Sequence, residues 1–216
     1  MTAIAQFRAR VAPRLPGCLD VLIDQAILDA GIEFCDKSLV IRRDAIVVST
    51  IAGTGTYALE PNVGTTDTVV AFIFRAWSNE VELAPMSESD VQTPHGFQTF
   101  ISGATKPRAS PKGFSQSYMG GITLHPAPDG VYNINARVAV RPHRLAASFE
   151  DEVYEDWMEA IIDGALARLY MFPGTWSNPA LAKFHSDKFD RAIASAQEEA
   201  LRGNVAQNLR VTPVHI

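Results

Sequence analysis

Apolar residues recur along this chain with two periods, one helical and one strand-like. The strongest helical stretch runs from Ser148 to Gly203. Val153, Trp157, Ala160, Ile161 and Gly164 share one face, widened by Ile162, Ala165, Leu166 and Leu169, with acidic residues opposite. Ser148 and Asp151 have capping-box spacing, with Asp in place of Glu or Gln. Glu150, Asp151 and Glu152 put negative charge where the helix dipole favours it. Pro173-Gly174 predicts a stop, because proline lacks an N–H and clashes with the preceding turn. Asn178-Pro179 predicts the cap and first residue of a second helix. Its apolar stripe is Leu181, Phe184, Phe189, Ala192, Ile193, Ala196 and Ala200, with Gly203 as C-cap. So short a connector predicts antiparallel arms with their apolar faces buried together.

Nearer the N-terminus, Thr2 predicts the cap of a short helix, followed by a rigid loop at Pro13, Pro16 and Gly17. Leu19, Leu22, Ile23, Ala26, Ile27, Ala30 and Phe34 mark another helical face between Cys18 and Ser38. From Leu39 the period becomes that of strands. Ile41 and Ile46 to Val48 predict one, Thr54 to Leu59 a second, and Thr68 to Trp77 the most apolar, paired with Val81 to Leu83 across a turn. Ser87 to Val91 predicts one helical turn, because Ser87-Glu88-Ser89-Asp90 is cap-like. Residues 93–118 predict a long loop with one short strand around Phe97 to Ile101. Asp129-Gly130 predicts a hairpin between a strand starting at Gly121 and the alternating strand Tyr132 to Val140, ended by Pro142. The terminal arm carries Val205, Leu209, Val211, Val214 and Ile216, and is either frayed or docked on a partner. The fold class is α+β: a helical bundle from residues 1–38 and 143–203, an inserted antiparallel β-rich domain over 39–142, and a C-terminal arm over 204–216.

The chain has 216 residues, 47% of them apolar and 20% charged, enough for a real core. No apolar run approaches the roughly 20 residues that span a bilayer, and the N-terminus lacks an apolar signal region. A protein made in the cytoplasm, without a membrane partner, is expected. The net charge of −5 argues against a surface built to grip phosphates, though not against one that DNA slides past. Cys18 and Cys35 are read as small apolar residues rather than a disulfide.

Sought chemistry is absent from the sequence. Ala52-Gly53-Thr54-Gly55-Thr56 lacks the lysine and following helix of a phosphate cradle, and reads as a turn. No Cys/His cluster has zinc spacing. Ser115, Ser117, His125 and His143 form no nucleophile-elbow sequence, and His185 has no partner at metal-ligand spacing. Glu152, Glu155, Asp156 and Glu159 read as a solvated helix face. No catalytic, cofactor or metal residue is therefore assigned. Lys106, Arg108 and Lys112 make a basic loop, either solvated or in contact with an acidic partner or passing DNA. Among the large rings Trp157, Tyr170 and Trp176, packing in the core is the simpler reading; Trp176 is the candidate for an exposed interface anchor.

The order of motifs is distinctive. Leu15-Pro16-Gly17-Cys18 and Ile32-Glu33-Phe34-Cys35 come first. Leu124-His125-Pro126-Ala127-Pro128, Tyr154-Glu155-Asp156-Trp157, Gly164-Ala165-Leu166-Ala167-Arg168-Leu169 and Trp176-Ser177-Asn178-Pro179 follow. In that order they resemble the head-to-tail adaptors of tailed bacteriophages, most of all the tail-tubular adaptors of short-tailed phages. The resemblance implies a structural virion protein of the neck or tail. It implies a homo-oligomeric ring of about twelve copies beneath the portal protein, bound below to a tail or nozzle protein. DNA would pass through its channel without specific binding. Portal docking then falls to Leu209, Val211, Val214 and Ile216, and contact with a neighbouring subunit or the tail to Trp176, Lys106, Arg108 and Lys112. Two rivals stay open: another neck or baseplate component, and a cell-wall hydrolase using the acidic helix.

Overall fold

The computed structural model describes residues 1–47, 49–61, 67–87, 108–117 and 120–202. In chain order its elements are β1 (Thr2–Ala3), α1 (Ile4–Val11), a 3-10 turn (Ala12–Arg14), α2 (Asp20–Ser38), β2 (Arg42–Val47), β3 (Thr56–Tyr57) and β4 (Glu60–Pro61). There follow β5 (Thr68–Ser78), β6 (Val81–Pro85), β7 (Gly113–Gln116), β8 (Ile122–His125), β9 (Ile134–Pro142), β10 (Ser148–Phe149), α3 (Asp151–Leu169) and α4 (Pro179–Arg202). The fold class is α+β. Two compact units divide the chain, one from Met1–Val40 with Ala147–Ile216, the other from Ile41–Ala146.

In the helical unit, β1 and β10 pair antiparallel, Thr2 with Phe149 and Ala3 with Ser148. This pairing corrects two predicted caps. Thr2 is extended, α1 starts at Ile4 after Ala3, and the Thr2 hydroxyl donates to Asp151 Oδ1 at 2.7 Å. Ser148 also lies in a strand, and Glu150 takes the N-cap position of α3 without a side-chain cap bond. The first arm stops at Leu169, before Pro173-Gly174, which lie in the connector. α2 buries Ile23, Ala26, Ile27, Ala30 and Phe34 as the spacing predicts, whereas Leu19 precedes the helix and is exposed.

Two glycines mark where neighbours crowd these helices. A Cβ on Gly31 would lie 2.7 Å from the Phe149 ring; one on Gly164 would lie 2.8 Å from Phe189 and 3.0 Å from Ala30. Gly164 thus sits where α2, α3 and α4 meet. Phe34 joins them, its ring centroid 5.3 Å from that of Trp157 and 6.4 Å from that of Phe189.

The buried face of α4 is not quite the predicted one. Ala182, His185, Phe189, Ile193, Ala196 and Ala200 are inside, while Leu181 and Phe184 are exposed. Tracing the inward row back from Phe189 lands on His185 and Ala182. The larger apolar neighbours fall one position to the side, so size misled the pattern while period did not.

The second unit is an eight-stranded sheet in the order β3-β8-β7-β6-β5-β9-β2-β4. It is mixed, not purely antiparallel: Ala84 and Pro85 of β6 pair in parallel with Gly113 and Phe114 of β7. A parallel pair cannot be joined by a tight turn, and β6 and β7 are far apart in sequence, at Val81–Pro85 and Gly113–Gln116. Gly113–Gln116 is therefore a strand within the stretch read as loop, while Phe97 to Ile101 lie outside the described residues. The Asp129-Gly130 hairpin is also overturned. β8 pairs with β7 and β3, and β9 with β5 and β2. Instead, buried Thr50 captures the segment between them: its hydroxyl donates to Gly130 O at 2.9 Å and accepts from Tyr132 N at 2.8 Å. On β9, Ile134, Ala136, Val138 and Val140 point inward as the alternation predicts.

Candidate protein-docking site

The end of the α3–α4 hairpin is a braced turn. Asn178 Oδ1 accepts from Ala180 N and Leu181 N, each at 3.1 Å, so Asn178 caps α4 as the sequence predicts. Its own N–H donates to Tyr170 O at 3.0 Å. Beneath the turn, Asp163 and His185, equally far from Gly174 on either side, meet at 2.7 Å through Oδ1 and Nδ1. Lys188 Nζ lies 3.8 Å from the other Asp163 oxygen, and the Tyr170 ring stacks on His185 at 5.7 Å. His185, without a partner by sequence spacing, thus has one in space. Residues 22 apart on two helices carry no local signal of contact.

A cleft of about 930 Å³ opens beside this turn, with Ala167, Met171, Phe172, Pro173, Pro179 and Ala182 in its lining. Glu33, Arg168, Lys183, Asp187 and Asp190 give it charged groups. Glu33 pairs with Arg168 and, at 2.5 Å, with Lys37; Arg168 also donates to Gly164 O at 2.6 Å. Donating to the Glu33 carboxylate holds the Lys37 ammonium above its usual pKa. Around the turn, Met171 is 66%, Phe172 50%, Leu181 40% and Phe184 50% exposed. These exposed apolar side chains make the turn the candidate docking surface.

The described residues among those proposed from sequence belong to both units. Trp176 is half-buried against Gly174, where a Cβ would approach its ring to 2.9 Å, and its Nε1 is enclosed without a hydrogen-bond partner. It braces the turn; the exposed rings are Phe172 and Phe184. Arg108 and Lys112 belong to the sheet unit. Arg108 bridges to Ala127, with its guanidinium over Gly53, and Lys112 N donates to His125 O at 2.9 Å. Both side chains are exposed. Lys106, Leu209, Val211, Val214 and Ile216 lie outside the described residues, as does Gly203.

The sheet also joins two residues that sequence reasoning kept apart. Ser115 Oγ and His125 Nε2 are 2.9 Å apart across β7 and β8. The contact follows from register, Gly113 facing His125 and Ser115 facing Thr123. Among the described residues, no three His, Cys, Asp or Glu side chains gather where a metal ion would sit. None of the described helices is long and apolar enough to cross a membrane.

Fold and surface together define a class: an α+β protein that exposes apolar and charged side chains at the end of a helical hairpin. The chain belongs to the SU10 adaptor protein family, whose family model matches residues 1–212. It is a phage head-to-tail adaptor, hence a structural component of the virion that works through other neck and tail components. No curated protein matches the chain.

Proposed function

We propose that this chain is the head-to-tail connector of a short-tailed phage: a ring of about twelve copies under the portal, leading DNA into the tail. In this reading the helices form a bundle from residues 1–38 and 143–203 that carries 39–142 as an inserted domain. The arm 204–216 docks on the portal through Leu209, Val211, Val214 and Ile216, by strand addition or apolar packing. The hairpin end, stiffened by Trp176, meets a neighbouring subunit or the tail or nozzle protein, as do Arg108, Lys112 and Lys106. The subunits are made in the host cytoplasm. A net charge of −5 suits a wall past which DNA slides without specific binding.

One observation carries the reading: a chain matched by an adaptor family over residues 1–212 holds Met171, Phe172, Leu181 and Phe184 in solvent on a braced hairpin. Imaging the assembled particle tests it directly, because a position away from the portal would refute it. Deleting residues 204–216 tests the docking arm. The truncated protein should fold and fail to attach to portal; full attachment would count against the arm.

A further inference from the structure

One face of the sheet unit is built in rows. Register aligns Asp44, Arg137 and Arg75 in one row, and Arg42, Ala139 and Phe72 in the next. The Arg42 guanidinium lies 4.5 Å from the centroid of the Phe74 ring, and its Nε is enclosed with no hydrogen-bond partner. Burial, then the neighbouring Arg137 charge, hold Arg42 below its usual pKa. Arg75 reaches Glu82 at 3.6 Å. Asp44 faces Arg137 in register, yet among the described residues neither Arg137 nor Arg42 makes an ion pair. Arg42, over the Phe74 ring, and the adjacent Arg137 thus have no counter-ion among the described residues of their own chain.

The same chain carries the complement. Glu155, Asp156 and Glu159 are exposed on α3, and none makes an ion pair among the described residues. Their neighbours are engaged: Asp151 binds the Met1 amine at 2.6 Å, and Glu152 has a partner of its own.

We propose that the acidic α3 face of one copy docks on the arginine–aromatic sheet face of the next; this rests on the ring reading above. Glu155, Asp156 and Glu159 are acidic where Arg42 and Arg137 are basic, so the contact joins two unlike faces; it is heterologous, and a heterologous contact repeated through a closing rotation makes a ring. Arginine suits the role, since its planar fork binds carboxylates in pairs and stacks on rings.

Charge reversal in the full-length chain tests it: Glu155→Arg with Glu159→Arg on one face, and Arg42→Glu with Arg137→Glu on the other. The readouts are native mass spectrometry of the purified protein and particle imaging. Either reversal should raise the concentration for half-assembly roughly a hundredfold, because like charges then meet at the contact. Mixing the two reversed chains, or combining both reversals in one, should restore assembly, and added salt should weaken the wild-type ring. Arg42→Gln with Arg137→Gln, its fold checked by circular dichroism, covers a reversal that fails to fold and should weaken assembly in the same direction. Normal rings from both reversals would overturn the contact while leaving the connector reading intact. Normal rings that have lost affinity for double-stranded DNA would assign the arginines to nucleic acid instead. Wild-type particles with no ring at all would sink both readings.

Discussion

Replacing Gly164 by alanine separates local preference from tertiary packing, because the two predict opposite signs. In an isolated helix the change stabilises by about 1 kcal/mol. In this protein the new methyl would sit 2.8 and 2.9 Å from two atoms of the Phe189 ring and 3.0 Å from Ala30 Cβ. Carbon atoms pack best at roughly 3.5–4.0 Å. The ring and the α2 backbone would have to give way together, and overpacking of this kind typically destabilises by about 1–3 kcal/mol. The net expectation is a loss of up to about 2 kcal/mol, which lowers the melting temperature by roughly 2–4 °C per kcal/mol. Thermal and urea unfolding followed by circular dichroism read it out. Phe189→Leu supplies the control. With the ring gone, the methyl has room on one side, and the two changes should couple by about 1 kcal/mol instead of adding. A Gly164→Ala protein more stable than wild type, or strict additivity with Phe189→Leu, would refute the three-helix contact.

Three other outcomes follow from the same geometry. Asp163→Ala leaves buried His185 without its 2.7 Å partner and should destabilise by about 1–3 kcal/mol in urea unfolding, with His185→Phe recovering part of it; an unchanged midpoint would deny the pair a structural role. Met171→Ser with Phe172→Ser should move stability by less than about 0.5 kcal/mol yet reduce attachment of the adaptor to neck or tail components in co-sedimentation; full attachment would remove the hairpin end from the docking surface. Burial raises Asp24 above its ordinary value of 3.8 while Arg8 pulls it down, so this acid titrates higher folded than unfolded. Ionising it then weighs against the fold, a penalty absent below the unfolded value and complete above the folded one. Arg8→Ala should raise the folded value further and widen that window, and a carboxyl NMR titration in which Asp24 did not move would contradict this.

The sequence by itself determined the elements whose signal is local. α2, α3, α4 and β5 were legible because a helical or strand stripe of large apolar residues repeats within one segment, and Asn178-Pro179 announces a cap by its own chemistry. The tertiary structure decided everything that depends on a distant neighbour. Thr2 and Ser148 look like caps until their segments pair with each other, and Asp129-Gly130 looks like a hairpin until Thr50 binds it from 80 residues away. His185 faces inward because Asp163, Tyr170 and the row through Phe189 meet it there, which turns Leu181 and Phe184 out to water. The physical reason is the same throughout. Period reports which side of a segment is apolar, but a residue's partner is set by how separate segments align, and no single stretch of sequence carries that alignment.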